Sequence, residues 1–189
     1  MTMRYFFHLV FFCAGVLSMS SCSYRFGNGS LSERYTTMSV PYIKGDKSGE
    51  ITAELIGQLS RSGTFAYKDT GGELSLKVKI LKYHDQNIGF QYSRDENGDL
   101  LEKLVPTESR LAELAEVWVE EAVSGKVILE PRRVSASVDY DFDPDLLQET
   151  ITTFSLGQFN AVDSARDVVA RPLNKALAEQ IIDYVTSTW

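Results

Sequence analysis

From residue 74 the chain alternates apolar and polar positions. Leu74, Leu76, Val78 and Ile80 fall on one side of an extended strand, and Ser75, Lys77 and Lys79 on the other. This predicts a strand over residues 74–83, with its apolar side on a core and its lysine side exposed. Residues 88–92 continue the extended pattern, and Asp95-Glu96-Asn97-Gly98 is a turn signal, because Asn-Gly tolerates positive φ. Residues 100–105 should pair back across that turn, with Pro106 ending the strand. Residues 110–123 (RLAELAEVWVEEAV) are mixed: Leu, Ala and Glu favour helix, whereas Val117, Trp118 and Val119 favour strand. Ser124-Gly125, followed by apolar runs at 126–129 and 134–140, decides for a long hairpin with Pro131 at an edge or bulge. A helix over 108–121 is the alternative.

Helical spacing occurs twice. Ile51, Leu55 and Leu59 recur every four residues between Ser48, a capping residue, and Gly63, a stop. Ala165, Val169, Leu173, Ala176, Leu177, Ile181 and Tyr184 make a second stripe after a capping-box-like start at Ser164 and Asp167. Pro172 lies inside it and should kink or divide the helix. Residues 36–43 (TTMSVPYI) read as a strand limited by Pro41, residues 64–68 as a short strand, and residues 146–159 as a long loop. The order strand, helix, five strands, helix contains no repeating βαβ unit. It predicts an α+β fold, a largely antiparallel or mixed sheet packed against two helices in a two-layer sandwich.

The amino terminus changes the picture. Arg4 precedes an apolar run over residues 5–17, short of the ~20 residues that a helix needs to cross a bilayer. Small residues then lead to Met19-Ser20-Ser21-Cys22, which resembles a lipobox; Cys13 follows Phe11 and Phe12, too bulky for that role. Residues 1–21 are therefore expected to be a lipoprotein signal peptide, with Cys22 lipidated by diacylglyceryl and further acyl (palmitate-type) chains that together anchor firmly. Residues 22–35, with Gly27, Asn28 and Gly29, read as a flexible tether, and residues 36–189 as a single domain. Once Cys22 carries lipid, no thiol remains for a disulfide or a cysteine metal site. Ser23 rather than Asp after the lipidated cysteine resembles the Gram-negative sorting signal for the outer membrane, facing the periplasm.

With 43% hydrophobic and 24% charged residues the 189-residue chain has an ordinary globular composition, and its net charge of −7 lacks the basic footprint of a nucleic-acid binder. His84 is the one histidine outside the signal peptide, and Asp85 beside it points to the other face of a strand, so the two are poorly placed to act together. No nucleophile elbow, phosphate loop or zinc motif occurs. The chain is read as non-catalytic, without a cofactor. Asp139, Asp141, Asp143 and Asp145 alternate as in a calcium loop, but the positions needing Gly and Glu hold Pro144 and Thr150, so no metal is assigned. Lys77, Lys79, Lys82, Arg132 and Arg133 are the cations placed on sheet surfaces, where they would draw anionic phosphates to an otherwise acidic protein. Phe90, Tyr92 and Trp118 are too many large rings for a core backed by two helices, and are candidates for a partner interface.

Cys22-Ser23-Tyr24-Arg25-Phe26 resembles the Cys-Gly-Tyr-x-Phe opening of the lipopolysaccharide-assembly lipoprotein family, LptE. The order of elements agrees over most of residues 22–185, including Leu74-Ser75-Leu76-Lys77-Val78 and Ser124-Gly125-Lys126-Val127-Ile128; Ser23 in place of Gly, and Pro172, depart from the pattern. The resemblance implies a helper lipoprotein seated in an outer-membrane β-barrel, LptD, in contact with lipopolysaccharide. Of the family's functional positions only Cys22 transfers residue by residue; the five cations are candidates for glycolipid contact. The alternative reading is a periplasm-facing lipoprotein that binds a small ligand or pilots another secretion channel.

Overall fold

The computed structural model describes residues 29–94, 97, 99–142 and 162–187. Two hairpins that share a strand make most of the sheet. Strand β3 (Leu74–Arg94) pairs antiparallel with β4 (Leu100–Glu121), and β4 with β5 (Val127–Asp141). Two short strands, β1 (Thr37–Ser39) and β2 (Ala66–Tyr67), join in parallel at the other side, giving a five-stranded mixed sheet in the order β2-β1-β3-β4-β5. A single helical turn, α1 (Gly29–Ser32), precedes β1; α2 is Glu50–Ser62 and α3 is Val162–Ser187. The fold is α+β, a sheet packed against two helices, and residues 110–121 are strand.

One face of the sheet is buried under α2 and α3. Leu74, Leu76 and Val78 of β3, Leu111, Ala115, Val117 and Val119 of β4, and Val134 and Ala136 of β5 meet Leu55 and Leu59 of α2 and Leu173, Leu177 and Ile181 of α3. Burying each large aliphatic side chain contributes ~1.5–3 kcal/mol, so this layer holds the helices without any disulfide. Among the described residues no helix is long and apolar enough to cross a membrane.

Several expectations change. β4 runs straight through Pro106, which does not end it: the proline lies opposite Phe90 at a register shift, beyond the reach of β5, where no ladder partner needs its missing N–H. Pro131 sits in the register shift between the Val117–Arg132 and Val119–Leu129 pairs, at the sheet edge as expected. Ser48 is not the main cap of α2. The N-cap is Gly49 at φ 81, and Asp46 supplies the acceptors: Oδ1 takes the Gly49 N–H at 2.8 Å, and Oδ2 takes the Thr52 N–H at 2.9 Å and its hydroxyl at 2.7 Å. Pro172 does not divide α3, which starts at Val162, ahead of Ser164. Of the segment assigned to the tether, residues 31–35 belong to the folded unit: Leu31 is buried and the Tyr35 hydroxyl donates to Glu121. Cys22, Asp143 and Asp145, and the loop expected over 146–159, lie outside the described residues.

Candidate functional site

β3 and β4 are far longer than the helices they carry. At ~3.3 Å per residue each spans about 70 Å, whereas β5 pairs with β4 only between Glu108 and Glu120 and β1 with β3 only at Leu74 and Ser75. Residues 90–94 and 100–107 therefore form a two-stranded arm beyond the three-stranded part of the sheet. Residues opposite one another in an antiparallel ladder share a face, so the register maps the side away from the helices. Its rows are Lys77 with Trp118, Lys79 with Glu116, Lys82 with Leu114, and His84 with Ala112; Gly89, opposite Glu108, returns to this side after a further shift, and the shift between Gly89 and Phe90 turns the rows Phe90–Pro106 and Tyr92–Leu104 to the other face.

The strict alternation that places Lys77 and Lys79 here would turn Lys82 toward the core. A bulge prevents it: the register shifts between Ile80 and Lys82, leaving Leu81 as the extra residue and returning Lys82 to the lysine face. Lys44 joins them. It forms an isolated parallel bridge to Lys79, donating its N–H to the Val78 carbonyl at 3.2 Å and accepting from the Ile80 N–H at 2.9 Å. Gly45 permits that approach, since a Cβ there would stand 3.0 Å from the Ile80 Cβ, and its φ is +102°.

Arg133 pairs with Glu116 and so lies on this face, two strands from Lys79. Arg132 does not. Successive strand residues point to opposite sides, and the Arg132 guanidinium lies 5.1 Å from the centre of the Tyr184 ring of α3, a cation–π contact on the helix side. The uncovered face thus gathers Lys44, Lys77, Lys79, Lys82 and Arg133 around Glu116. Among the described residues none of these five cations makes an ion pair. The nearby Glu120 accepts the Trp118 Nε1–H at 2.7 Å.

Farther out the hairpin becomes apolar, on its other face. Phe90 and Tyr92 are each 56% exposed, Leu104 58% and Leu100 63%. Trp118, half-buried, stands among the cations, opposite Lys77. A hairpin with cations on one face and, farther along, large rings and leucines on the other can take an amphiphilic ligand or a protein partner, because its apolar part has no cover among the described residues. Asp139 belongs to an exposed ion pair with Arg110, at 2.6 Å, which holds its carboxyl below the ordinary range. Among the described residues no cluster of three potential metal ligands occurs. His84 and Asp85 take opposite faces, and Asp85 is bound to Tyr140 and Arg166. A groove of about 740 Å³ between α2 and α3 is lined by Arg61, Arg171 and Lys175 with Glu54, Gln58 and Glu179. Arg61 is bonded to Glu54 at 2.7 Å, and Gln58 bridges Glu54 and Glu179. It lacks the apolar lining of a small-molecule pocket.

A long hairpin sheet covered on one side by two helices is a fold shared with solved structures. A protein from Caulobacter crescentus CB15 described as a candidate lipoprotein aligns over 85% of this chain and 96% of its own, with a TM-score of 0.51 and 12% identity. A minor lipoprotein from Acinetobacter baumannii aligns over 81% and 92%, at a TM-score of 0.49 and 17% identity. Rare lipoprotein B from Shewanella oneidensis aligns over 80% and 95%, at 0.47 and 16%. No protein-family model and no curated protein matches the chain.

Proposed function

We propose that this chain is a non-catalytic outer-membrane lipoprotein, anchored through Cys22 and facing the periplasm, that partners a β-barrel translocon and assists the assembly of lipopolysaccharide. The observation that carries this reading is the uncovered sheet face, where five cations with no ion pair among the described residues gather on the sheet that extends into an exposed apolar arm, on a chain of net charge −7. The lipobox-like Cys22 segment supports the anchor, and the resemblance to the LptE family supports the partner and the ligand. The fold shared with a Caulobacter protein described as a candidate lipoprotein accords with it.

In this reading the phosphates of lipopolysaccharide lie against Lys44, Lys77, Lys79, Lys82 and Arg133. An ammonium meeting a phosphate makes a charge-assisted hydrogen bond stronger than a neutral one. Phe90, Tyr92 and Trp118 contact the barrel partner. Arg132, turned toward Tyr184, takes no part. The test is a titration of the mature protein with lipopolysaccharide. The double variant Lys77→Glu, Lys79→Glu should bind at least tenfold more weakly while its circular dichroism is unchanged, and added salt should weaken wild-type binding, since exposed charges are screened over ~8–10 Å near physiological ionic strength. Equal binding by the folded double variant would contradict the proposed ligand.

A further inference from the structure

Glu113 interrupts the buried row of β4. Between Leu111 and Ala115, both fully buried, it is 5% exposed, and its Oε2 has no hydrogen-bond partner among the described residues. Burial of a carboxylate without a cation or donors is unfavourable, so such a group takes up a proton or its surroundings open. The neighbours leave it little relief.

Across the ladder, Tyr83 is opposite Glu113, and Asp85 lies one same-face row farther along, opposite Leu111. Asp85 Oδ2 accepts from the Tyr140 hydroxyl at 2.9 Å and from Arg166 Nε at 2.9 Å, with Nη2 at 2.7 Å, while its Oδ1 is buried and has no partner among the described residues. From the loop before α2 comes Asp46, itself 6% exposed and occupied by the donors of Gly49 and Thr52. The charged and titratable groups around this corner are thus Asp46, Tyr83, Asp85, Tyr140 and Arg166. Arg166 is the one cation of this set, and it is engaged by Asp85.

We propose that Glu113 is a proton-operated latch on the first turns of α3: with Glu113 neutral these turns lie closed on the sheet, and loss of its proton opens them. Arg166, near the start of α3, is the cation that can turn toward an ionised Glu113, and it must then release Asp85. Ala165 and Val169 of the same turns are only partly buried, so lifting them exposes little apolar surface. The Asp46 loop is pinned by three hydrogen bonds and resists. Burial, reinforced by the Asp46 charge, pushes the Glu113 carboxyl up to about 7.

The sign follows from linkage. A carboxyl raised in the closed state stabilises closure at low pH, and this contribution is progressively lost between the open-state value of 4.5 and the closed-state value of about 7. With those two values the opening equilibrium rises about tenfold between pH 6 and pH 8. Hydrogen exchange of residues 166–170 in the full chain, whose N–H groups are the first of α3 with intrahelical acceptors, reads it directly once corrected for the intrinsic pH dependence of exchange. Wild type should lose about tenfold protection there over that range, and Glu113→Gln should lose none. A flat wild-type profile, the same loss in Glu113→Gln, or a loss spread equally over the whole domain would overturn the latch. Should Glu113→Gln not fold, a carbon-13 titration of the Glu113 carboxyl in wild type decides: a midpoint near 7 supports the latch and one at the ordinary glutamate value overturns it.

Discussion

Replacing Asp46 by Ala should unfasten the amino-terminal end of α2. Its carboxylate satisfies the Gly49 N–H, the Thr52 N–H and the Thr52 hydroxyl, at 2.7–2.9 Å, and the same hydroxyl accepts the Ile43 N–H at 3.2 Å. Asp46 is 6% and Thr52 9% exposed, so water cannot replace the lost acceptor without local opening. A hydrogen bond to a charged group contributes ~1.5–3 kcal/mol, whereas loss of a helix cap alone costs ~0.5–2 kcal/mol. The Gly49 N–H is partly accessible and can rehydrate, so two of the three donors stay unsatisfied, and the expected loss is about 2–4 kcal/mol. With a urea m-value of about 2 kcal/mol/M the midpoint falls by about 1–2 M. Asp46→Asn retains one acceptor and should lose about half as much.

The acid limb gives a second reading from the same variants. Burial raises the Asp46 carboxyl, but hydrogen bonds from the Thr52 N–H and hydroxyl and from the Gly49 and Ser48 N–H groups outweigh it and hold the group below 3.8. Its stabilisation is therefore fully present above that unfolded value and is lost as pH falls through the lower folded value. Urea titrations followed by far-UV circular dichroism should show wild type losing this increment below about pH 4 and Asp46→Ala losing none of it. A midpoint change worth under about 0.5 kcal/mol at pH 7, typical of a surface substitution, would refute the capping account.

Two further outcomes follow from positions on the chain. Cys22→Ala should leave the protein unprocessed or released from the membrane; an unmodified residue 22 at the mature amino terminus of wild type by mass spectrometry would contradict lipidation. Trp118→Ala removes a half-buried ring from the face opposite the core, so the isolated domain should stay folded while a complex that uses this ring weakens by about 2 kcal/mol or more. Unfolding of the domain would place Trp118 among the core residues instead.

The layers of this fold are written in its periodicities. The period-two run from Leu74 to Ile80 and the four-residue spacing of Ile51, Leu55 and Leu59 give the buried faces directly, and the Ser124-Gly125 turn separates two strands that propensity alone left open. The features that shape the site are non-local. The bulge at Leu81 looks like any other apolar residue in an extended run, yet it decides where Lys82 points. Lys44 belongs to no strand and reaches the cationic cluster through one isolated bridge. The separation of Arg132 from Arg133 was legible in the alternation of strand side chains, and grouping the two as one basic pair passed over it. Glu113 carried a usable signal: it is the acid within the alternating row Leu111, Ala115, Val117 and Val119, a position that a buried strand reserves for apolar residues.

The central claim is that the uncovered face and arm meet an outer-membrane partner. A photo-crosslinking residue at position 92, on the arm, and another at Val168, exposed on α3, separate this from general proximity. Crosslinking in intact cells, followed by solubilisation of the outer membrane and mass spectrometry, should give an adduct between position 92 and an integral β-barrel protein, with none from position 168. Equal labelling at both positions, or recovery of the position-92 protein free of any barrel partner, would contradict the account.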